Sequence, residues 1–272
     1  MSAILHKNHG KNAPTNYGAT SNGGEGGGSN NVEDDNVVHI DPNGWKFIKY
    51  KFREPFAEFI GTFTLVAFGI GSIAQTVLSK GDNAVTITLA VYRKFPWLKV
   101  PVYILAQTSG AFVAAAVIYI NYHPSITNYD GGERSVTGAN ATAGIFATYP
   151  AQFMGTFGSF FSEALGTFFL LLVILAVTDE RNELNIKPVA PIIIGLALAT
   201  IALSLGYETG FSLNGARDFG PRLFTFLVGY GVEVFSTSCF YFWIPIVAPV
   251  VGGLVAGLVY DSMIYWGKSP LN

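Results

Sequence analysis

Thr209 to Arg222 reads TGFSLNGARDFGPR, and it lies between two long apolar runs while being itself too polar and too glycine-rich to cross a bilayer as a helix. Irregular polar backbone at membrane depth is tolerated only where it lines a water-filled path or is wrapped in protein. The stretch must therefore face a path, and the sequence on either side must build the walls.

Composition agrees with that reading. Half of the 272 residues are hydrophobic and only 12% are charged, which is the balance of an integral membrane protein. A formal net charge of −2, with no basic stripe interleaved with aromatics, argues against a nucleic-acid partner. Cys239 is the only cysteine, and the four histidines (His6, His9, His39, His123) fall outside the apolar runs. No metal, cofactor or thiol redox centre is expected. No nucleophile, base and orienting group can be assembled from the span-borne residues, so an enzyme is not expected either.

Five runs are long enough to cross a bilayer as helices: Pro55 to Leu78, Val100 to Tyr122, Phe157 to Val177, Val189 to Tyr207, and Phe240 to Tyr260. The basic cluster Lys46, Lys49, Lys51 and Arg53 places the entry to the first span, and with it the N-terminus, in the cytoplasm. Two segments are too short to cross, Asn83 to Tyr92 and Asn214 to about Phe226, and read as half-helices that enter the membrane and turn back. Residues 1–44, rich in Gly, Asn and Ser, read as a disordered cytoplasmic tail. The run Gly23 to Gly28 has no Gly-Lys-Ser/Thr after it and is no phosphate loop. The first apolar stretch, Ala3 to Leu5, is too short for a signal peptide. A channel-like domain then occupies 45–265, and 266–272 form a short C-terminal tail.

The domain contains an internal repeat. Ala57-Glu58-Phe59-Ile60-Gly61-Thr62-Phe63 recurs 105 positions later as Ser162-Glu163-Ala164-Leu165-Gly166-Thr167-Phe168. Each copy leads to an asparagine that opens a half-helix, Asn83 and Asn214. Each ends in a small-residue helix, Gly110-Ala111-Phe112-Val113-Ala114 against Gly252-Gly253-Leu254-Val255-Ala256. Two copies of span, span, half-helix, span, over 52–122 and 155–265, form an inverted-repeat transport architecture. The copies differ in length, however. Glu58 to Asn83 is 25 residues and Glu163 to Asn214 is 51, so the first copy is short by one helix and a connection. The basic residues before the first span and after the first half-helix (Arg93, Lys94, Lys99) both belong in the cytoplasm, which requires an even number of crossings where one is visible. The fold expected is thus all-α, with two re-entrant half-helices and five full spans instead of six.

Residues 52–265 resemble the major intrinsic protein family on its glycerol-conducting, aquaglyceroporin branch, of fungal type. The second motif, Gly210 to Arg222, follows the family's second Asn-Pro-Ala box and its flanks at nearly every position. It departs at Gly215, which stands for the central proline. The first box has become Asn83-Ala84-Val85-Thr86, without its proline.

The resemblance implies a pore in which two half-helix N-termini meet at mid-membrane, where their unsatisfied N–H groups and partial positive charge repel protons and cations. It implies that Asn83 and Asn214 donate to passing hydroxyls, that Arg217 and Phe211 form a filter near the outer mouth, and that Ala202 widens it for glycerol. Asp218, Arg222, Tyr119, Pro245 and Ile246 match the glycerol-type pattern. Glu58 and Glu163, expensive within spans, are implied to bind the backbone of the re-entrant loops. A homotetramer in the plasma membrane, with one pore per subunit, is also implied.

Residue chemistry alone supports these roles unevenly. An ionisable residue at membrane depth, as Arg217 is, is costly and usually functional. Asp218 would be favourable in any first helical turn. Gly253 to Gly257 reads as a helix-packing face. Asn140-Ala141-Thr142 is a glycosylation sequon, outward-facing only if a sixth helix is counted.

The function expected is passive passage of glycerol and other small neutral solutes, with water as a further candidate. The alternatives are a non-conducting truncated paralogue, splice form or gene-model artefact, and a secondary transporter whose coupling carboxylates could only be Glu58 and Glu163.

Overall fold

The computed structural model describes residues 3–6, 37–40, 48–49, 51–68, 83–181 and 186–271. The chain divides into a unit of residues 1–53 and a larger unit of residues 54–272. In the smaller, β1 (Ala3–His6) pairs antiparallel with β2 (Val37–Ile40), with Ala3 opposite Ile40. That pairing was not foreseen in a tail of this composition.

Among the described residues the larger unit is entirely helical. Its elements are α1 (Arg53–Phe68), α2 (Asn83–Tyr92), α3 (Val100–Asp130), α4 (Thr156–Thr178), α5 (Ala190–Thr209), α6 (Gly215–Thr225), α7 (Glu233–Phe240) and α8 (Ile244–Met263). Four stretches are long and apolar enough to cross a membrane: Trp97–Asp130, Thr156–Thr178, Ala190–Thr209 and Glu233–Met263. The first expected span is described as helix α1 to Phe68, and the remainder of it lies outside the described residues. The short helices α2 and α6 occupy the two segments read as half-helices.

Local chemistry sets most boundaries. Prolines near the starts of α3, α5 and α8 sit where their missing N–H costs nothing. Helix α5 stops at Gly210, whose φ of 79° is left-handed and whose N–H returns to the Gly206 carbonyl. One boundary differs from the sequence reading. The apolar run read as a span from Val100 to Tyr122 belongs to a longer helix, since α3 carries Pro124 inside it and stops only at Gly131, at φ 68°. The left-handed glycine, not the proline, is the operative stop signal here.

Helix α8 packs closely on α4. A side chain at Gly252 would run into the Ala164 carbonyl, so the helices approach backbone to backbone. Between α4 and α5 lies an aliphatic core that includes Leu170, Leu171, Ile174 and Ile194, reached also by Val85 from α2 and by Leu213. An aromatic cluster of Phe112, Tyr119, Phe146, Phe224 and Tyr230 fills the space between α3, α6 and the long connection after α3.

Candidate functional site

The site is built on the turn that enters α6. Phe211 and Leu213, at φ 43° and 53°, hold left-handed conformations that side chains with a Cβ adopt only at a cost. Glu163, fully buried on α4, holds the turn: its carboxylate accepts from Ser212 N at 2.9 Å and from Leu213 N at 2.7 Å. Asn214 then caps the helix, its Oδ1 accepting from Ala216 N at 2.8 Å and Arg217 N at 3.3 Å. This is the work of an N-cap side chain. The Phe211 ring lies on Gly206 of α5, where an added Cβ would come within 2.9 Å of it. Ala202 sits one turn earlier on α5, half-buried.

Arg217, half-buried, donates from Nη1 to the Phe146 carbonyl at 3.3 Å. That carbonyl belongs to the connection between α3 and α4, and a second pair of charges keeps the connection in place. Asp218 accepts from Thr148 N at 2.8 Å and Thr148 Oγ at 2.6 Å, while Arg222 binds Asp218 at 2.7 Å. Arg222 also reaches the Thr148 and Val234 carbonyls. Asp218 and Arg222 are both fully buried, so each needs every one of these partners. Tyr149 lies in the same connection, under the Arg222 guanidinium at 4.6 Å, and burial pushes its phenol up to about 12. The arrangement does two things. It anchors the N-terminus of α6 and fixes the Arg217 guanidinium on the Phe146 carbonyl, both through partners already in place.

Phe146, Thr148 and Val234 were not singled out from the sequence. They act largely through backbone carbonyls, which every residue type possesses.

The other half of the site rests on α2. Glu58 on α1 and Gln107 on α3, both buried, are joined at 3.0 Å, and Gln107 Nε2 lies 3.3 Å from Thr86 Oγ. Gly253 of α8 abuts Thr88, and Gly257 abuts the Tyr92 ring, whose hydroxyl donates to the Leu254 carbonyl at 3.0 Å. The face read as a packing stripe is thus what receives α2. At the end of α2, Arg93 makes a two-pronged ion pair with the buried Asp261, at 3.0 and 2.7 Å, and stacks on Tyr265 at 4.0 Å.

Pro245 and Ile246 lie against Gly215, with Ile246 Cα 3.2 Å from where a Cβ would stand. Tyr119 belongs to the aromatic cluster, 5.5 Å from Phe224, and its hydroxyl accepts from Arg134 Nε. Asn140 is exposed in the connection after α3, whereas Thr142 of the same sequon is buried against Asp130 and Tyr230.

Comparison with known proteins adds an independent line. The family model described as "Major intrinsic protein" matches residues 78–260. "Aquaglyceroporin-2" of Rhizophagus irregularis is 63% identical over 289 positions, covering 94% of this chain and 92% of the relative. "Probable aquaglyceroporin-2" of Gibberella zeae is 42% identical, covering 84% and 77%. The X-ray structure of the aquaglyceroporin from Plasmodium falciparum superposes with a TM-score of 0.66 at 33% identity, over 78% of this chain and 96% of that one. The Rhizophagus alignment is longer than the whole 272-residue chain, so that relative carries residues with no counterpart here. Motif, geometry and relatives agree: the chain belongs to the major intrinsic protein family, on its aquaglyceroporin branch.

Proposed function

We propose that this chain is a passive, bidirectional transmembrane channel for glycerol and other small neutral solutes, water included. The observation that carries the reading is the α6 entrance, where one turn and the helix it opens carry a capped N-terminus, the Phe211 ring on Gly206 and Arg217 on the Phe146 carbonyl. An apolar ring suits the carbon backbone of a polyol, the donors suit its hydroxyls, and the cation excludes protons and metal ions. Asn214, Arg217, Phe211 and Ala202 are the residues proposed to meet the solute, with Asn83 at the junction of the half-helices.

We further propose that the first repeat lacks one helix before Asn83. Taking 94% of 272 residues as about 256, the 289-position Rhizophagus alignment leaves about 33 positions unmatched, close to one span of about 20 residues with its connections. The family match beginning only at residue 78 fits a break at that point. The N-terminus is assigned to the cytoplasm, the connection bearing Asn140 to the outer face, and the assembly to a homotetramer in the plasma membrane.

The test is expression in cells devoid of a glycerol facilitator, with radiolabelled glycerol uptake normalised to chain in the membrane. Uptake well above vector control is expected, and Arg217→Ala should change its selectivity. Uptake equal to control, with the chain present and folded, would mark it as non-conducting.

A further inference from the structure

The order in which the two half-helices line up is fixed by their packing. On α6, a Cβ at Gly220 would stand 2.9 Å from Ala111 Cβ on α3. On the other half, a Cβ at Gly253 of α8 would stand 2.6 Å from Thr88 Oγ on α2. Ala111 and Gly253 hold the same place in the repeated small-residue motif, so Thr88 is the counterpart of Gly220. Five residues back along each half-helix, Asn83 falls opposite Gly215 and not opposite Asn214.

Two further observations agree. Asn214 Oδ1 caps its helix through two N–H groups, whereas Asn83 Oδ1 is buried with no hydrogen-bond partner among the described residues. Asn83 Nδ2 lies 3.3 Å from where a Gly215 Cβ would stand, so the two residues are neighbours and a side chain at 215 would press on the Asn83 amide. Residues related by the repeat and in mutual contact mark the point where the half-helices meet. Asn83 is 8% exposed, and a buried acceptor without a protein partner is commonly satisfied by water.

We propose that Asn83 and Gly215 are a fitted pair at the junction of the half-helices, and that Asn83 Oδ1 accepts a hydrogen bond from the permeating hydroxyl compound or water. Both residues stand where the family carries proline, and each departure accounts for the other. A bulkier residue at 215 would displace the Asn83 amide, while Asn83 takes the room that glycine leaves. The half-helix N-termini supply only donors, so an acceptor here lets a hydroxyl donate and accept at once.

The acceptor role rests on the channel reading, but the fit does not, so two measurements separate them. Thermal midpoints of purified, detergent-solubilised Gly215→Ala, Asn83→Ala and the double variant test the fit. Because the Ile246 backbone also abuts position 215, the double variant should recover part of the loss caused by Gly215→Ala alone. Additive losses would overturn the pairing, whether or not the chain conducts. Glycerol uptake at equal membrane amount tests the acceptor: Asn83→Ala should lower it about threefold, the worth of a modest net hydrogen bond. Asn83→Ser, similarly small but carrying an oxygen, should restore most of it. Equal uptake by the alanine and serine variants would overturn the acceptor role, and a silent parent chain would remove it together with the channel reading.

Discussion

The half-helices α2 and α6 are alike in length and setting but are held by different forces. Helix α6 is held by charge: Glu163 grips the turn that leads into it, and Asp218 with Arg222 ties it to Thr148 and Val234. Helix α2 is held mainly by close packing against the glycines of α8, with the buried Glu58–Gln107 pair reaching its Thr86 hydroxyl and the Arg93–Asp261 ion pair at its far end. The comparison teaches that the two halves differ in how they can fail. A buried charge network collapses when one member is removed, because the remaining charge is left without compensation. A packed interface loses stability in proportion to the misfit.

The largest effect should come from breaking the network on α6. Asp218→Ala leaves Arg222 buried beside two carbonyls and no anion, at a cost of about 3–5 kcal/mol. The thermal midpoint should fall steeply and glycerol uptake should vanish with it. A midpoint near that of the parent would mean that the network is not what secures α6. A smaller effect is expected at the other half. Asp261→Asn removes the anion from Arg93, which is 22% exposed and can turn to water. About 1–2 kcal/mol is expected for a hydrogen-bonded charge pair of that kind, and the paired exchange Arg93→Asp with Asp261→Arg should recover part of it. A loss as large as that of Asp218→Ala would erase the distinction between the halves. The smallest effect belongs to the connection after α3. Asn140→Gln should abolish a glycosidase-sensitive mobility shift while leaving uptake unchanged. That shift would place the connection after α3 on the outer face.

How far the sequence revealed this arrangement depends on the chemistry each residue uses. Asn214, Arg217 and Glu163 were legible because polar residues at membrane depth are too costly to be incidental. The half-helices were legible from length alone, as runs too short to cross. The supports of Arg217 and Arg222 were not, since the Phe146 carbonyl under Arg217 and the Thr148 and Val234 carbonyls under Arg222 carry no side-chain signature and reach their partners across 71, 74 and 12 positions. Asn83 was read as the twin of Asn214 because both are asparagine. Packing aligns it with Gly215 instead, a shift of one residue that composition does not encode. The full length of α3 was not legible either, because the apolar run ends at Tyr122 while the helix continues through polar residues and Pro124 to the left-handed Gly131.

All of these differences presuppose that the two halves form one conducting path, with the first repeat short of a helix as proposed above. Glycerol flux into proteoliposomes, reconstituted from the purified chain and compared with protein-free vesicles, tests that most directly. The account predicts flux well above that of the empty vesicles, reduced by Asn83→Ala and lost with Asp218→Ala. Flux equal to that of empty vesicles, from protein that unfolds cooperatively at an ordinary temperature, would contradict it.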